Sequence, residues 1–299
     1  MLSGRDLMHG VPGSYAVHQC SICGSGTTLP LAAGEELAAF YPASYAPHDV
    51  PRGLLSRAMD HVQRARDRRF PLLALRSGRR PGRLLDVGCG RGDLVASWIA
   101  AGWQALGIEP SPAAAAVARQ RGAEVLVGTL ATVSLERESV DAAVFRHSLE
   151  HVLDPQADLR RVHAALRPGG KLAVIVPNWD SWQRRAFAER WFPLELPRHR
   201  THFTPAGLRA ALELSGFCGI DVRPATPLTT TAWSLQLRLF GRCLTSEGSR
   251  VLAGYAASIP VASIVHVIDR ARGDGDFIHA AATKPGLLSS TEAIAHLSS

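Results

Sequence analysis

The segment LLDVGCGRGDL, residues 84–94, does most to limit the fold of this 299-residue chain. A short apolar run leads directly into glycines at alternate positions, Gly88, Gly90 and Gly92, and an amphipathic segment follows them. Glycine tolerates left-handed backbone dihedrals and lets a ligand approach the main chain, because it has no Cβ. The pattern therefore predicts a strand, a tight ligand-binding turn and a helix, as found at the carboxyl edge of parallel sheets.

The chain around this segment alternates short apolar runs with longer amphipathic segments. The amphipathic segments predict helices over 93–101, 112–121, 155–166 and 204–214. The apolar runs predict strands over 84–87, 104–108, 124–127, 142–145, 171–176 and 219–222, with a last strand over 276–283. Such alternation indicates an α/β fold: a Rossmann-like, seven-stranded, mostly parallel sheet with helices on both faces.

The regions outside this sheet suggest a three-part organisation. We expect an N-terminal extension over 1–50, a ligand-binding core over 51–225, and a helical insertion with the final strand over 226–299. The extension is rich in glycine and proline, which is typical of loops. Within the core, the spacing of apolar residues predicts a helix over 52–78 that covers the sheet.

Composition narrows the class of protein. The formal net charge is +7, but the arginines do not alternate with aromatic residues, so we expect no nucleic-acid partner. The chain has five cysteines scattered along its length, and no secretory signal precedes them. This indicates a reducing, cytoplasmic setting. The apolar stretch 251–268 is interrupted by Pro260, so we expect peripheral membrane contact through 233–268 rather than a membrane span. The sequence leaves the oligomeric state open.

The spacing of the glycines points to a particular kind of ligand. The dinucleotide fingerprint is GxGxxG, whereas here the third glycine comes one residue early and Asp93 follows it. A diphosphate would meet like charge at Asp86 and Asp93, which argues against a nicotinamide dinucleotide and an oxidoreductase. Glu109 ends the next strand about 20 residues later, where an acid accepts hydrogen bonds from ribose hydroxyls. A cationic or zwitterionic nucleoside fits these residues.

Four segments together resemble the class I S-adenosylmethionine-dependent methyltransferases over residues 83–222: LLDVGCGRGDL, ALGIEPSP, DAAVFRHSLEHV and LRPGGKLAVIVPN. The resemblance implies S-adenosylmethionine as the cofactor, with its methionine part near Asp86 and the three glycines and its ribose on Glu109. Adenine is implied near Thr129 and Leu130, where many relatives carry an aspartate instead. Arg146 and His147 follow the strand at which relatives line the methyl-donor pocket.

The segment QCSICGSG, residues 19–26, resembles the cysteine-containing opening of a bacterial subgroup of these enzymes. Relatives with a zinc ribbon have two CxxC pairs, and tetrahedral zinc needs four ligands. This chain has the single pair Cys20 and Cys23, and neither His9 nor His18 has ligand spacing from a partner. We therefore expect a degenerate zinc-ribbon-like extension and no metal.

The sequence says less about where the molecule that accepts the methyl group would bind. Residues 177–202 hold many aromatic residues, which would form either a lid and acceptor pocket or a loop packed on the extension. Methyl transfer to a hydroxyl needs a base, and the histidines that follow the strands are candidates: His147, His151, His199 and His202. We favour His199, with His147, for an acceptor-side role, and expect His151 to be structural, hydrogen-bonded within a helix.

These observations predict an enzyme that transfers a methyl group to a small-molecule acceptor: a glycan, lipid-linked or natural-product hydroxyl. The alternative is a catalytically inactive nucleoside-binding or regulatory protein of the same fold, supported by the absence of an aspartate near Thr129.

Overall fold

A computed structural model of the chain describes residues 2–31, 40–41, 81–241 and 249–286. The helix predicted over 52–78 lies outside these residues. The strands are β1 (Leu2–Gly4), β2 (Tyr15–Gln19), β3 (Gly26–Leu29), β4 (Arg83–Val87), β5 (Gln104–Glu109), β6 (Glu124–Val127), β7 (Val140–Arg146), β8 (Leu166–Pro177), β9 (Thr201–His202), β10 (Cys218–Ala225) and β11 (Phe277–Thr283). The α-helices are α1 (Asp93–Ala100), α2 (Pro112–Gln120), α3 (Pro155–Ala165), α4 (Trp182–Phe187), α5 (Pro205–Leu214), α6 (Leu228–Phe240) and α7 (Ser249–Arg272).

The larger sheet has seven strands in the order β10-β11-β8-β7-β4-β5-β6. Strands β4 to β8 pair in parallel, whereas β11 runs antiparallel to both β8 and β10. The predicted fold class is therefore confirmed, including the return of the chain to the sheet in its last strand. The central strands carry the carboxyl edge at which the glycine segment lies.

Capping residues explain where three helices begin. The hydroxyls of Ser111 and Thr204 and the carboxylate of Asp154 each accept a backbone N–H in the first turn of α2, α5 and α3. A proline occupies the next position in each helix, where its missing N–H leaves no donor unpaired. These local signals account for the agreement between predicted and observed helix starts.

The core lies on both faces of the larger sheet. Leu84 is buried on one face with Trp98 of α1, and Leu85 is buried on the other with Leu159 of α3. Because neighbouring positions of one strand are buried on opposite faces, both must be apolar, and the sequence has two leucines in succession here. Helices on both faces are needed to cover such a sheet.

A second sheet was not predicted. Strands β1, β2 and β3 of the N-terminal extension form an antiparallel sheet with β9, in the order β1-β2-β3-β9. The extension was expected to be loop-rich, but Tyr15 and Val17 alternate inward along β2 while the main chain supplies the pairing. The fourth strand of this sheet, β9 (Thr201–His202), belongs to the segment after β8, so the extension packs on the core.

The C-terminal region forms α6 and α7, which pack against each other before β11. Helix α6 begins at Leu228, so the threonine-rich stretch before Trp233 is helical. Among the described helices, none combines the length and the apolar character needed to cross a membrane. The predicted membrane contact, cytoplasmic setting and absence of a nucleic-acid partner stay predictions.

Candidate functional site

The glycine segment forms a left-handed turn between β4 and α1. Gly88, Gly90 and Gly92 have φ angles of 73°, 54° and 75°. A Cβ on Gly88 would lie 2.6 Å from the Cβ of Ser148, and one on Gly92 would lie 2.7 Å from that of Ala118. Both the dihedrals and the space around two of these positions therefore require glycine.

Glu109, at the end of β5, connects this turn to the next helix. Its buried carboxylate accepts the N–H of Gly90 and the N–H of Ser111, both at 2.8 Å. A carboxylate has about four lone-pair sites, so these two contacts do not prevent it from accepting hydroxyl hydrogens as well. Glu109 is thus fixed at the sheet edge beside the turn, and its contact with a ribose stays a prediction.

Asp86 lies beneath the turn and is buried. Burial raises the pKa of Asp86 to about 6, and the positive charge of Arg146 at the end of β7 opposes that rise. The two predicted residues therefore influence each other across neighbouring strands. A buried acid of this kind favours a cationic ligand group over a phosphate.

Asp93 does not contribute the like charge that the sequence suggested. Its carboxylate forms ion pairs with Arg121 and, at 3.6 Å, with Arg91. These two arginines offset its charge, so only Asp86 remains as an argument against a diphosphate on electrostatic grounds. The spacing of the glycines is the stronger of the two original arguments.

The loop after β6 lies beside Glu109, because the N–H of Gly128 donates to its main-chain carbonyl at 3.0 Å. The predicted adenine contacts differ in their surroundings. Thr129 is exposed, and its N–H donates to the hydroxyl of Thr132 at 2.9 Å. Leu130 is buried in the core with Ile108. The loop is in the expected place, and the adenine contacts themselves stay predictions.

His147 directly follows β7 in a left-handed conformation, with a φ of 54°. The next residue, Ser148, donates its hydroxyl to the carbonyl of Val87 at 2.6 Å, which holds this segment against the glycine turn. The His147 side chain is half-buried, and its ring packs edge-on against Phe277 at 4.8 Å. Burial lowers the pKa of His147, so the ring is neutral near pH 7.

His199 is buried in the segment between α4 and β9. Its Nδ1 lies 2.8 Å from the carbonyl of Pro193, and its Nε2 lies 3.4 Å from Oε2 of Glu195. Burial lowers the pKa of His199, although the negative charge of Glu195 works in the opposite direction.

Glu150 was missed by the sequence analysis and links the two predicted histidines. Its Oε1 lies 3.9 Å from Nε2 of His199 and 4.0 Å from Nδ1 of His147. The carboxylate is buried, neither oxygen has a hydrogen-bond partner, and burial raises the pKa of Glu150 to about 8. The signal available in the sequence was an acidic residue next to a histidine, just after a core strand.

The helix expected around His151 is wrong, because residues 149–153 form a turn and bend. The Nδ1 of His151 lies 3.2 Å from the carbonyl of Arg198 and 3.1 Å from the hydroxyl of Tyr41. Burial lowers the pKa of His151 to about 3. His202, the fourth candidate, is buried in β9 with its Nε2 2.8 Å from the hydroxyl of Thr28.

The aromatic segment after β8 packs mainly on the extension. Trp179, Phe187 and Trp191 are buried in one cluster with Tyr15 and other apolar residues of both segments. Of the two interpretations, the packing one applies to these three side chains. His147, rather than the tryptophans, is the half-buried group beside the glycine turn.

The cysteine pair lies in the turn between β2 and β3. The N–H of Gly24 donates to the carbonyl of Cys20 at 3.0 Å, and Cys20 is exposed while Cys23 is half-buried. Hydrogen bonds from the Cys23 and Ile22 N–H groups lower the pKa of Cys20. Whether this pair binds metal stays a prediction.

Comparison with known proteins gives a match over the same part of the chain. A family model described as "Methyltransferase domain" matches residues 57–222. A ubiquinone biosynthesis O-methyltransferase of Xanthomonas axonopodis is 30% identical over 173 residues, which cover 54% of this chain and 71% of that protein. An uncharacterized 37.1 kDa protein in transposon TN4556 of Streptomyces fradiae is 39% identical over 111 residues, 34% of this chain and 32% of the relative.

Among solved structures, phosphoethanolamine N-methyltransferase 2 of Haemonchus contortus, in complex with phosphomonomethylethanolamine and S-adenosylhomocysteine, has a similar fold. The TM-score is 0.58 at 18% identity, with 87% of this chain and 62% of that chain covered. This likeness concerns the fold alone.

Proposed function

Because the chain belongs to the class I S-adenosylmethionine-dependent methyltransferases, we propose that it methylates a hydroxyl group of a small-molecule acceptor. The observation that carries the cofactor part of this proposal is the Glu109 carboxylate, which is fixed by the N–H groups of Gly90 and Ser111 beside the glycine turn. S-adenosylmethionine supplies an electrophilic methyl group on a sulfonium centre.

The cofactor side of the site is assigned to the residues around this turn. Gly88, Gly90 and Gly92 let the methionine part approach the main chain, and Glu109 accepts hydrogen bonds from the ribose hydroxyls. Asp86 offers a buried negative charge to the cationic part of the ligand. Thr129 and Leu130 lie on the loop assigned to adenine.

The acceptor side is assigned to the segment after β7. His147 is the half-buried histidine next to the glycine turn, and its neutral ring can take the proton that a hydroxyl releases as its oxygen is methylated. The buried His199 lies behind it, across the Glu150 carboxylate, and is proposed to act on the acceptor side by holding that carboxylate in place beside His147. The protein otherwise orients the acceptor and excludes water.

The choice of oxygen as the acceptor atom is supported by relatives. The Xanthomonas protein and several others at 30–38% identity carry the name ubiquinone biosynthesis O-methyltransferase. The chain spans about half the length of several of these relatives, so the particular acceptor is not carried over with the name. We propose a hydroxyl of a lipid-linked or natural-product molecule as the class to test first.

The test has two stages. Calorimetry should show binding of S-adenosylmethionine and S-adenosylhomocysteine and none of NAD; binding of NAD alone would contradict the proposal. Incubation with a labelled methyl donor and matched phenols, alcohols and amines should then label hydroxyl compounds. His147→Asn should abolish labelling while S-adenosylhomocysteine still binds, and labelling confined to amines would contradict the hydroxyl assignment.

A further inference from the structure

Three side chains that the proposed cofactor site does not use meet at the edge of β7. The carboxylate of Glu150 and the rings of His151 and His199 each present one ligand atom, and these atoms lie within 4.8 Å of one another. We propose that this cluster binds a divalent transition-metal ion, with Zn²⁺ as the representative.

The two imidazoles are oriented as metal ligands are. The Nδ1 of His199 lies 2.8 Å from the carbonyl of Pro193, and the Nδ1 of His151 lies 3.2 Å from the carbonyl of Arg198. A carbonyl only accepts, so these contacts favour a ring hydrogen on Nδ1 in both residues; the Tyr41 hydroxyl, 3.1 Å from Nδ1 of His151, then accepts from it as well. This leaves a lone pair on each Nε2, and that of His199 faces the carboxylates of Glu195 at 3.4 Å and Glu150 at 3.9 Å. Metal-bound histidines almost always donate their other N–H to a carbonyl or carboxylate in this way.

The third ligand is a carboxylate that nothing else in its surroundings satisfies. Glu150 is 1% exposed, and neither of its side-chain oxygens has a hydrogen-bond partner. A buried carboxylate without a partner is costly unless a cation or donor lies next to it. A metal ion between Glu150 and the two imidazole rings would supply that charge.

The main chain holds the ligands together from two separate parts of the sequence. The carbonyl of Glu150 accepts the N–H of Arg200 at 2.8 Å and that of Thr201 at 3.1 Å. These bonds fix the segment that carries His199 against the turn that carries Glu150 and His151. The cluster is therefore part of the folded scaffold and not a chance meeting of surface side chains.

The donor set indicates which ions fit. Two imidazole nitrogens and one carboxylate suit Zn²⁺ and its first-row neighbours, whereas Mg²⁺ and Ca²⁺ prefer oxygen ligands throughout. Metal–ligand bonds of about 2.0–2.2 Å require the ligand atoms to close to about 3.4 Å from one another. His151 is the least buried of the three residues, and three protein ligands leave a fourth position open.

This proposal departs from the expectation of no metal, which was based on the cysteine pair with His9 and His18. It does not depend on methyl transfer, so its tests measure the metal directly. The purified full chain, stripped with a chelator and titrated with Zn²⁺, should bind one ion per chain, and Co²⁺ in its place should give visible absorption bands of a site with nitrogen ligands. S-adenosylhomocysteine binding, measured in the same samples, reports separately on the cofactor site.

Substitutions separate this cluster from the cysteine pair. Glu150→Gln, which keeps the side-chain volume, and His199→Ala should each weaken Zn²⁺ binding by at least about tenfold. The double variant Cys20→Ser with Cys23→Ser, and His18→Ala, should bind Zn²⁺ as the unaltered chain does. Zn²⁺ should raise the melting temperature of the unaltered chain and of the cysteine variant, but not that of Glu150→Gln.

Three results would overturn the proposal: no Zn²⁺ isotherm for the unaltered chain, equal affinity in Glu150→Gln, or loss of binding in the cysteine variant. A variant that fails to fold would show itself by lost circular dichroism, and Glu150→Gln then serves in place of His199→Ala.

Discussion

The guanidinium of Arg198 donates two parallel hydrogen bonds to the carboxylate of Asp6, both at 2.9 Å, and both side chains are fully buried. The pair joins the N-terminal extension to the segment that carries His199. Burial raises the pKa of Asp6, but the hydrogen bonds and charge of Arg198 outweigh it, so the pKa is lowered.

Breaking this pair should destabilise the protein strongly. Asp6→Asn leaves Arg198 buried with less compensating charge, which costs about 3–5 kcal/mol of unfolding free energy. Urea denaturation at pH 7 measures this loss. Asp180→Asn, which breaks the exposed pair with Arg185, should cost less than about 1 kcal/mol. Equal losses in the two variants would show that the buried pair does not hold the extension.

Gly92→Ala should reduce both stability and cofactor binding. The new Cβ would lie 3.0 Å from the Cα of Ala118, and the alanine would have to adopt a φ of 75°. Gly122→Ala is the matched control, because its φ is 86° and nothing lies within 4 Å of the added Cβ. Both variants should lose about 1–2 kcal/mol from the left-handed conformation. Gly92→Ala should lose about 1–3 kcal/mol more from crowding, measured by denaturation.

Glu109→Ala should weaken binding of S-adenosylhomocysteine by roughly ten- to hundredfold, because a hydrogen bond to a charged group contributes about 1.5–3 kcal/mol. Calorimetry gives the affinity. Glu124→Ala, an exposed acid on the neighbouring strand β6, should leave it unchanged. An affinity unaffected by Glu109→Ala would remove this residue from the ribose site.

Asp276 should make stability depend on pH. Its carboxylate is buried and accepts hydrogen bonds from Trp191 at 2.8 Å and Ser181 at 3.0 Å. Burial raises the pKa of Asp276 from 3.8 to about 7. The pKa of Asp276 is higher in the folded chain than in the unfolded chain. Its protonated carboxyl therefore contributes fully to stability below about pH 4, and this contribution is lost as the pH rises through 7.

The loss amounts to about 4 kcal/mol over that range. From pH 4 to pH 8 the unaltered chain should therefore lose this amount of unfolding free energy relative to Asp276→Asn, which has no carboxyl to ionise at this position. The exposed Asp221→Asn should show no such trend. A constant difference for Asp276→Asn would mean that the buried carboxyl does not titrate in this range.

Helix α7 presents exposed apolar side chains at Val261, Ile264 and Val267, followed by the exposed Arg270 and Arg272. Apolar contact flanked by basic residues favours an anionic bilayer surface. Flotation with anionic vesicles should therefore carry the protein, and Ile264→Asp with Val267→Asp should release it. Leu214→Asp, at an exposed leucine of α5, should have no effect; no flotation of the unaltered chain would refute the contact.

Local signals explain which parts of the structure were predictable. The three glycines and Glu109 lie within one βαβ unit, where spacing along the chain determines position in space. The caps at Ser111 and Thr204 likewise act on the next few residues. For these features the sequence contains both partners of each interaction within a short stretch.

Glu150 and β9 show why the rest was not predictable. The proposed role of the Glu150 carboxylate depends on His199, which lies beside it because the N–H groups of Arg200 and Thr201 donate to the carbonyl of Glu150. Strand β9 has two residues, too few for any alternating pattern, and exists because β3 of the extension pairs with it. Such contacts depend on the finished packing.

The pairing of β3 with β9 also bears on where the chain can be cut. The family match covers residues 57–222, which suggests a self-sufficient catalytic module. Yet a fragment starting there would lack the strand that pairs with β9 and Asp6, one of the two carboxylates that pair with Arg198. The residues that match the family and the residues whose contacts hold this segment in place are therefore different lengths of the polypeptide, so a truncated chain should keep the N-terminal sheet.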